Sequence, residues 1–266
     1  MPRAIVIRAA GTNCDLEMCR AFQAAGCEPE LLHIERLVRN PAPLASASVI
    51  GFPGGFSYGD DIASGRIFAA RLRRGLYPAL RDAADRGACM IGACNGFQVL
   101  VQCGLLPGAQ TGAWPEHAAP QELSLTRNTN ARFEDRWTGI EVDDHTVCVW
   151  TRGLDIFKDR PETLMLPSAH GEGRLVASSD AVLDRLETAG QVALRYTDNF
   201  NGSARAIAGV CDPSGRILGL MPHPERYLSW LHHPYWTRLD CSVRRGDTPG
   251  LAMFRSAVEA ASAAPV

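Results

Sequence analysis

Short apolar runs alternate with helical patterns over the first hundred residues, and this alternation limits the fold more than any other feature. Each run is bounded by polar or glycine residues, as is typical of strands buried on both faces. We predict strands over residues 4–7, 30–34, 48–52 and 88–92, with a helix over 15–25 and a mostly helical stretch over 62–87. Strands separated by helices predict an α/β fold with an open, mostly parallel central sheet flanked by helices.

The second half of the chain places strands closer together in sequence. We predict strands over 133–137, 141–150, 191–196, 204–211 and 216–221, and a terminal helix over 250–261. The last two strands are joined by Asp212-Pro213-Ser214-Gly215, in which Pro presets one φ and Gly accepts a positive φ, as a tight turn requires. Because no repeat or linker interrupts the sequence, we expect residues 1–266 to form a single domain.

Composition and charge disfavour several classes of protein. The formal net charge is -2, whereas nucleic-acid surfaces normally carry a clustered basic excess. The longest apolar stretch, 89–106, contains Asn95, Gln98 and Gln102, so a lipid-facing helix is not expected. The nine cysteines are odd in number, scattered and without a C-x-x-C pair, which favours reduced thiols. We therefore predict a cytoplasmic protein with neither nucleic-acid nor membrane partners.

A nucleophile motif follows the fourth predicted strand. Cys94 lies between Gly92 and Gly96, after one apolar run and before another. A strand, a sharp turn and a helix in this order expose a nucleophile at the edge of a sheet, and the glycines provide the space. The helix N-terminus favours the thiolate, and the amide of Asn95 points to where an oxyanion forms. The alternative, a buried structural cysteine, does not account for both glycines.

His223 and Glu225 form a second motif, in Pro222-His223-Pro224-Glu225. A thiol that attacks an amide needs a base to handle its proton and a third group to orient that base. The two prolines exclude regular helix, and residues two apart in extended backbone point to the same side. Alone, this segment would be interpreted as a loop histidine. Together with Cys94, it predicts a catalytic triad of Cys94, His223 and Glu225.

The third predicted strand ends in Pro53-Gly54-Gly55, and the amide of Gly55 is the predicted second oxyanion donor, beside Asn95. Ligand sites in such sheets lie at the carboxyl ends of the strands, where this segment and the two motifs are expected to meet. Too few ligands stand at regular spacing for a metal, so none is predicted. No phosphate-binding glycine motif is present, so nucleotide chemistry is expected on another chain.

These segments together resemble the class I (triad) glutamine amidotransferases, and most closely the glutaminase subunit of phosphoribosylformylglycinamidine synthase. The resemblance covers roughly residues 3 to 226, and its blocks are 52–60, 92–98, 132–137, 169–174 and 221–226. Asn95-Gly96-Phe97-Gln98 and His170-Gly171-Glu172-Gly173 are usually lacking in other amidotransferases that share the triad.

The resemblance implies a flavodoxin-like class I glutamine amidotransferase fold with an additional small antiparallel sheet. It implies Cys94 as nucleophile, His223 as base oriented by Glu225, an oxyanion hole at Gly55 and Asn95, and Gln98 as a contact to bound glutamine. The reaction it implies is hydrolysis of glutamine to glutamate and ammonia. A large synthetase subunit, in some members with a small bridging protein, would use the ammonia to convert formylglycinamide ribonucleotide to formylglycinamidine ribonucleotide in purine biosynthesis. ATP and magnesium are expected on that partner, and no cofactor on this chain.

Two segments depart from the family pattern. Residues 199–203 read Asn-Phe-Asn-Gly-Ser where Asn-Pro-Asn-Gly-Ser is usual, and the extension over about 227–266 is longer than in compact members. Its aromatic residues, among them Tyr227 and Trp236, fit either extra cover for the core or contact with a partner. His170 and Glu172 fit either contact with the synthetase or support of a loop.

Other functions remain open at this point. The chain fits the glutaminase component of another amidotransferase, which assays with candidate synthetases would separate. It also fits a stand-alone Cys-dependent hydrolase of similar fold, which would not need the Gln98 contact. A scaffold subunit with a vestigial site is the non-enzymatic alternative, and the complete triad disfavours it.

Overall fold

The structure, a computed structural model, describes residues 1–110 and 112–263. The strands are β1 Arg3–Arg8, β2 Glu28–His33, β3 Val49–Phe52, β4 Cys89–Ala93, β5 Leu123–Thr126, β6 Glu134–Val142, β7 Met165–His170, β8 Arg174–Ala177, β9 Val192–Tyr196, β10 Ile207–Cys211 and β11 Ile217–Leu220. The α-helices are α1 Asp15–Ala24, α2 Ile34–Arg39, α3 Ala42–Ala45, α4 Arg66–Gly75, α5 Tyr77–Asp85, α6 Asn95–Cys103, α7 Asp180–Thr188 and α8 Pro249–Ser262. Short 3-10 helices connect several of these elements.

The central sheet is mixed, with the strand order β2-β1-β3-β4-β11-β10-β9-β6-β7, and β5 and β8 form a separate antiparallel pair. From β2 to β11 neighbouring strands are parallel. From β11 to β7 neighbouring strands are antiparallel, so the antiparallel part of the sheet is larger than the sequence pattern indicates. The predicted α/β fold, a central sheet flanked by helices with a small additional antiparallel sheet, is confirmed.

The parallel half is built from the alternating segments of the first hundred residues. Every residue of β3 and β4 is buried, because helices cover both faces of the sheet. Alternate residues of β1 belong to different cores, with Ile5 and Ile7 on one face and Ala4 and Val6 on the other. The sheet therefore separates two apolar layers.

Three predicted elements differ from the structure. The strand predicted over 141–150 is wrong, because β6 already ends at Val142 and Val149–Phe157 is a 3-10 helix. Asp143 explains the break, since its side chain accepts from the amide of His145 and its carbonyl from Thr146, closing a turn. The helical stretch predicted over 62–87 is two helices that meet at Leu76, and the strand predicted over 204–211 begins only at Ile207.

The C-terminal segment covers one face of the sheet. In α8, Phe254 is fully buried and makes edge contacts with Phe22 and Trp150, at ring-centroid distances of 5.2 and 5.8 Å. Of the aromatic residues that precede α8, Tyr227 is buried, whereas Trp236 is 38% exposed. The extension is thus partly core cover and partly surface.

None of the helices in the described residues has the length and apolar character needed to cross a membrane.

Candidate active site

Cys94 occupies a sharp turn between β4 and α6. Its backbone has a φ of 52° and a ψ of −108°, a strained conformation for a residue with a side chain. The amide of Cys94 donates to the carbonyl of Leu220 at 2.8 Å, which holds the turn against β11. A Cβ added to Gly96 would lie 1.8 Å from the carbonyl oxygen of Phe52, so α6 packs this closely on β3 only with glycine there. The predicted strand–turn–helix geometry is present.

His223 and Glu225 lie just beyond the end of β11. Nδ1 of His223 is 2.7 Å from Oε1 of Glu225, and both residues are at most 2% exposed. The pair forms because Pro224–Arg226 is a 3-10 turn, rather than through the extended backbone that the sequence suggested. The amide of His223 donates to the carbonyl of Pro167 at 2.7 Å, so β7 also positions the imidazole.

Gly54 marks the point where the predicted nucleophile and the predicted base meet. A Cβ placed on it would lie 2.6 Å from Cε1 of His223 and 3.4 Å from Cβ of Cys94. These two residues, 129 positions apart in the chain, therefore lie side by side over one glycine. Nε2 of His223, the ring nitrogen opposite Glu225, has no hydrogen-bond partner among the described residues. It is available to a thiol or a substrate.

The environment of His223 favours the imidazolium. Desolvation in the buried site lowers the pKa of His223, but the charge of Glu225 and the nearby sulfur atoms of Cys14 and Cys94 raise it. The raising influences prevail, so the pKa of His223 lies well above its usual value. A protonated imidazole held by a carboxylate is the form that stabilises a thiolate and later protonates a leaving amine.

The two predicted oxyanion donors come from different segments, since Gly55 follows β3 and Asn95 begins α6. Gly55 has a φ of 139°, and a Cβ there would lie 2.7 Å from the amide nitrogen of Asn13. Neither the amide of Gly55 nor that of Asn95 donates to another group of the described chain. Unoccupied amides beside a nucleophile are what an oxyanion hole requires.

Gln98 connects the turn to a second wall of the site. Its side-chain oxygen accepts from Nδ2 of Asn95 at 3.0 Å, and its Nε2 donates to the carbonyl of Glu172 at 2.6 Å. Asp60 accepts from Asn95 as well, at 3.3 Å. Oε2 of Glu172 accepts from the amide of Ser64 at 3.3 Å. The loop after β3, the start of α6 and the segment after β7 thus share one hydrogen-bond network.

His170 is buried beside the triad at the end of β7. It is 3% exposed, stacks on Phe200, and has no hydrogen-bond partner for either ring nitrogen among the described residues. Burial, together with the positive charge of His223, lowers the pKa of His170 to about 4. The segment 199–203 supports this region, since Nδ2 of Asn201 donates to the carbonyl of Gly173 at 3.0 Å. Phe200 packs in this loop against His170 and Tyr196.

Sequence reasoning missed Cys14. This buried residue follows β1, its sulfur accepts from Arg226 at 3.0 Å, and its ligand atom lies within 4.8 Å of those of His223 and Glu225. The rule that ligand sites lie at the carboxyl ends of strands was the available signal, because β1 ends here too. A guanidinium on the sulfur and a carboxylate already paired with His223 disfavour a cation in this cluster.

Most of these groups face one cleft. The predicted site residues Cys94, His223, Gly55 and Gln98 line it, and Glu225 stands directly behind His223. Its other lining residues are Asn13, Cys14, Phe56, Asp60, Ser64, Phe133, Ala169, His170, Gly171, Glu172 and Arg226. Asn95 is buried behind the lining, directly after Cys94. A thiol and an imidazolium with two unoccupied amides beside them can attack an amide and hold the resulting oxyanion.

Comparison with known proteins agrees with this chemistry. A profile described as the CobB/CobQ-like glutamine amidotransferase domain matches residues 1–259. Phosphoribosylformylglycinamidine synthase subunit PurQ of Dehalococcoides mccartyi is 40% identical over 264 residues, covering 97% of this chain and 96% of that protein. The same subunit of Archaeoglobus fulgidus is 34% identical over 276 residues, with coverage of 97% and 96%.

Solved structures give the same answer. The structure of PurLQS from Thermotoga maritima matches with a TM-score of 0.72 and 30% identity, covering 97% of this chain and 98% of that chain. The resemblance inferred from the sequence blocks is confirmed. Since the profile and the relatives span nearly the whole chain, the protein belongs to the glutamine amidotransferase family and, within it, to the PurQ subunits of phosphoribosylformylglycinamidine synthase.

Proposed function

We propose that this chain hydrolyses glutamine with the triad Cys94, His223 and Glu225 and delivers the ammonia to a partner synthetase. The observation that carries the proposal is the meeting of Cys94 and His223 over Gly54, with Glu225 hydrogen-bonded to the far side of the imidazole. The proposed acceptor is formylglycinamide ribonucleotide, which the large synthetase subunit would convert to formylglycinamidine ribonucleotide with ATP and magnesium. The name PurLQS of the T. maritima structure supports a complex that also contains a small third subunit.

The first half of the reaction forms a thioester. The thiolate of Cys94 attacks the side-chain carbonyl carbon of glutamine, and the carbonyl electrons move to the oxygen. The amides of Gly55 and Asn95 hold this oxyanion, and removing one such donor typically costs about 3–4 kcal/mol of barrier. When the tetrahedral species collapses, the C–N bond breaks and the imidazolium of His223 gives its proton to the departing nitrogen. Ammonia leaves and Cys94 carries a glutamyl thioester.

The second half regenerates the enzyme. Water loses a proton to His223 and attacks the thioester carbon, and glutamate leaves as the Cys94 thiolate re-forms. Glu225 keeps the imidazole oriented through both halves. Ammonia released into bulk water would be protonated, so direct passage into the synthetase follows from this chemistry. We further propose low turnover by the isolated chain, because partner docking completes the site as closure does in other enzymes.

The proposed location is the cytoplasm. All nine cysteines are free thiols and most are buried, which supports a reducing compartment.

The test uses the chain together with its synthetase partner and either glutamine or ammonium chloride as nitrogen donor. The variant Cys94→Ala is expected to abolish glutamine-dependent product formation and to leave ammonium-dependent formation unchanged. The exposed Cys241, replaced by alanine, is the matched control and is expected to retain both activities. A diazo-ketone analogue of glutamine is expected to label Cys94, and glutamine to protect it.

Two results would overturn the proposal. One is glutamine-dependent activity in the Cys94→Ala complex. The other is labelling of Cys94 that glutamine does not slow, which would favour a stand-alone Cys-dependent hydrolase with another substrate.

A further inference from the structure

The triad and the oxyanion donors account for the amide end of glutamine but not for its α-ammonium group. Two carboxylates, Asp60 and Glu172, line the same cleft as Cys94. Neither forms an ion pair among the described residues. The negative charge of Glu172 contributes to the raised pKa of Asp60, after desolvation, so the two carboxylates are close enough to repel each other. A cation would relieve this repulsion.

Asp60 is fully engaged within the protein. Its Oδ2 accepts from the hydroxyl of Ser64 at 3.0 Å, and its Oδ1 accepts from the amide of Gly65 and from Nδ2 of Asn95, both at 3.3 Å. These bonds fix the loop after β3 against the start of α6. Asp60 is therefore a structural group of the cleft wall.

Glu172 keeps one carboxylate oxygen unoccupied. Its Oε2 accepts from the amide of Ser64, whereas Oε1 has no partner among the described residues. The backbone of Glu172 is held by Gln98, and Gln98 is held in turn by Asn95, the residue that follows the nucleophile. Glu172 is thus held at a fixed position relative to the turn that carries Cys94. A group that binds one end of a substrate must be fixed in this way to place the other end for reaction.

His170 supplies a second, independent sign of an unfilled polar site. His170 lines the cleft and is only 3% exposed. Neither of its ring nitrogens has a hydrogen-bond partner in the described chain. Because its pKa is lowered to about 4, it is neutral at pH 7 and does not repel a cation near Glu172. Buried polar groups normally have partners, so the ring nitrogens of His170 are available to a polar ligand on this side of the cleft.

We propose that Glu172 is the specificity residue that binds the α-ammonium group of glutamine, with Gln98 as the positioning residue that holds it. The inference rests on glutamine being the substrate of this cleft. It gives Gln98 an indirect role, because both ends of its amide are already engaged by Asn95 and Glu172. Support of the loop at Ser64 needs only an acceptor oxygen, so the negative charge of Glu172 remains for the substrate.

The variant Glu172→Gln separates the two roles, because its amide oxygen still accepts from Ser64 while the charge is lost. In the complex with the synthetase, the KM for glutamine is expected to rise roughly 10- to 100-fold, the range for loss of a charge-assisted hydrogen bond. The kcat is expected to stay within a few-fold, since the bond is made equally in the ground and transition states. Glu134→Gln, the same change outside the cleft, is the control.

Glutaramate, which is glutamine without its α-amino group, gives the decisive comparison. Wild-type enzyme is expected to prefer glutamine strongly, and Glu172→Gln to lose most of this preference because only glutamine turnover falls. An equal loss with both substrates, or a fall in kcat at unchanged KM, would overturn the inference and leave Glu172 as loop support. Absence of glutamine turnover in the wild-type complex would instead overturn the proposed function itself.

Discussion

Glu225 sets the charge of His223, the proposed catalytic base. Its negative charge raises the pKa of His223 against a desolvation that lowers it. In Glu225→Gln the desolvation remains and the charge is gone, so the pKa of His223 is expected to fall. The alkaline limb of kcat/KM for glutamine should move to lower pH, and kcat should fall about 10²–10⁴-fold. A pH profile of the complex checks this, and an unmoved alkaline limb contradicts the assignment of Glu225.

His170 makes stability depend on pH in the acid range. The unfolded chain protonates this residue near pH 6.5 and the folded chain only near pH 4. Between these values the unfolded state binds more protons, so the free energy of unfolding falls as the pH falls, by about 3 kcal/mol in total for a shift of this size.

Denaturant unfolding from pH 7 to pH 4 tests this prediction. His170→Gln is expected to remove that part of the decline, whereas the exposed His117 replaced by glutamine should keep it. The raised pKa of His223 affects stability only at higher pH. Its contribution to the free energy of unfolding is complete below pH 6.5 and is lost as the pH rises above that value. Equal declines in His170→Gln and wild type would show that another group carries the acid sensitivity.

The turn between β4 and α6 depends on a close backbone contact at Gly96 that leaves no room for a side chain. Gly96 brings α6 against the carbonyl of Phe52, and its Cβ would lie 1.8 Å from that oxygen. Gly96→Ala is expected to destabilise the fold by about 1–3 kcal/mol or more and to move Cys94 away from Gly55. Gly171→Ala is the control for stability, because its Cβ would meet only Phe133, at 3.8 Å. Thermal unfolding measures the first effect and the rate of Cys94 labelling the second. A Gly96→Ala protein as stable as this control, with Cys94 as reactive as in the wild type, would contradict the packing argument.

The antiparallel strand β7 contributes to the site as much as the parallel strands do. Its Pro167 carbonyl holds the amide of His223, and its Ala169 carbonyl lies 3.7 Å from the sulfur of Cys94. The end of β7 carries His170 and leads to Glu172. The proposed catalytic residues follow β4 and β11, while β7 closes the cleft from the side.

For the whole molecule, we propose that residues 1–266 unfold as one unit that includes the C-terminal extension. Phe254 connects α8 to Phe22 and Trp150, which belong to distant parts of the chain. Phe254→Ala is expected to cost about 3–5 kcal/mol, whereas Ile156→Ala, at a side chain 73% exposed, should cost little. Coincident unfolding by fluorescence and circular dichroism checks the single unit. Separate transitions would contradict it.

Elements that depend on residues close together in the chain could be predicted from the sequence alone. Pro222 and Pro224 predict His223 and Glu225 as a pair through extended backbone, whereas the 3-10 turn Pro224–Arg226 brings them together. The strand–turn–helix around Cys94 depends on glycines two residues away on either side. Such patterns state a backbone geometry directly, because the constraint and its effect lie within a few residues. The parallel strands were equally readable, since burial on both faces makes each a continuous apolar run.

The packing of the whole chain determines which other groups reach the cleft. His170 ends β7, Glu172 follows it, and Cys14 follows β1, but nothing near them in the sequence indicates which strands become neighbours. That choice depends on how helices and long connections pack across the sheet, a balance of many weak contacts spread over the chain. The end of β6 was mispredicted for a related reason. The strand preference of residues 143–150 is weak, and the hydrogen bond from the His145 amide to Asp143 stabilises a turn instead.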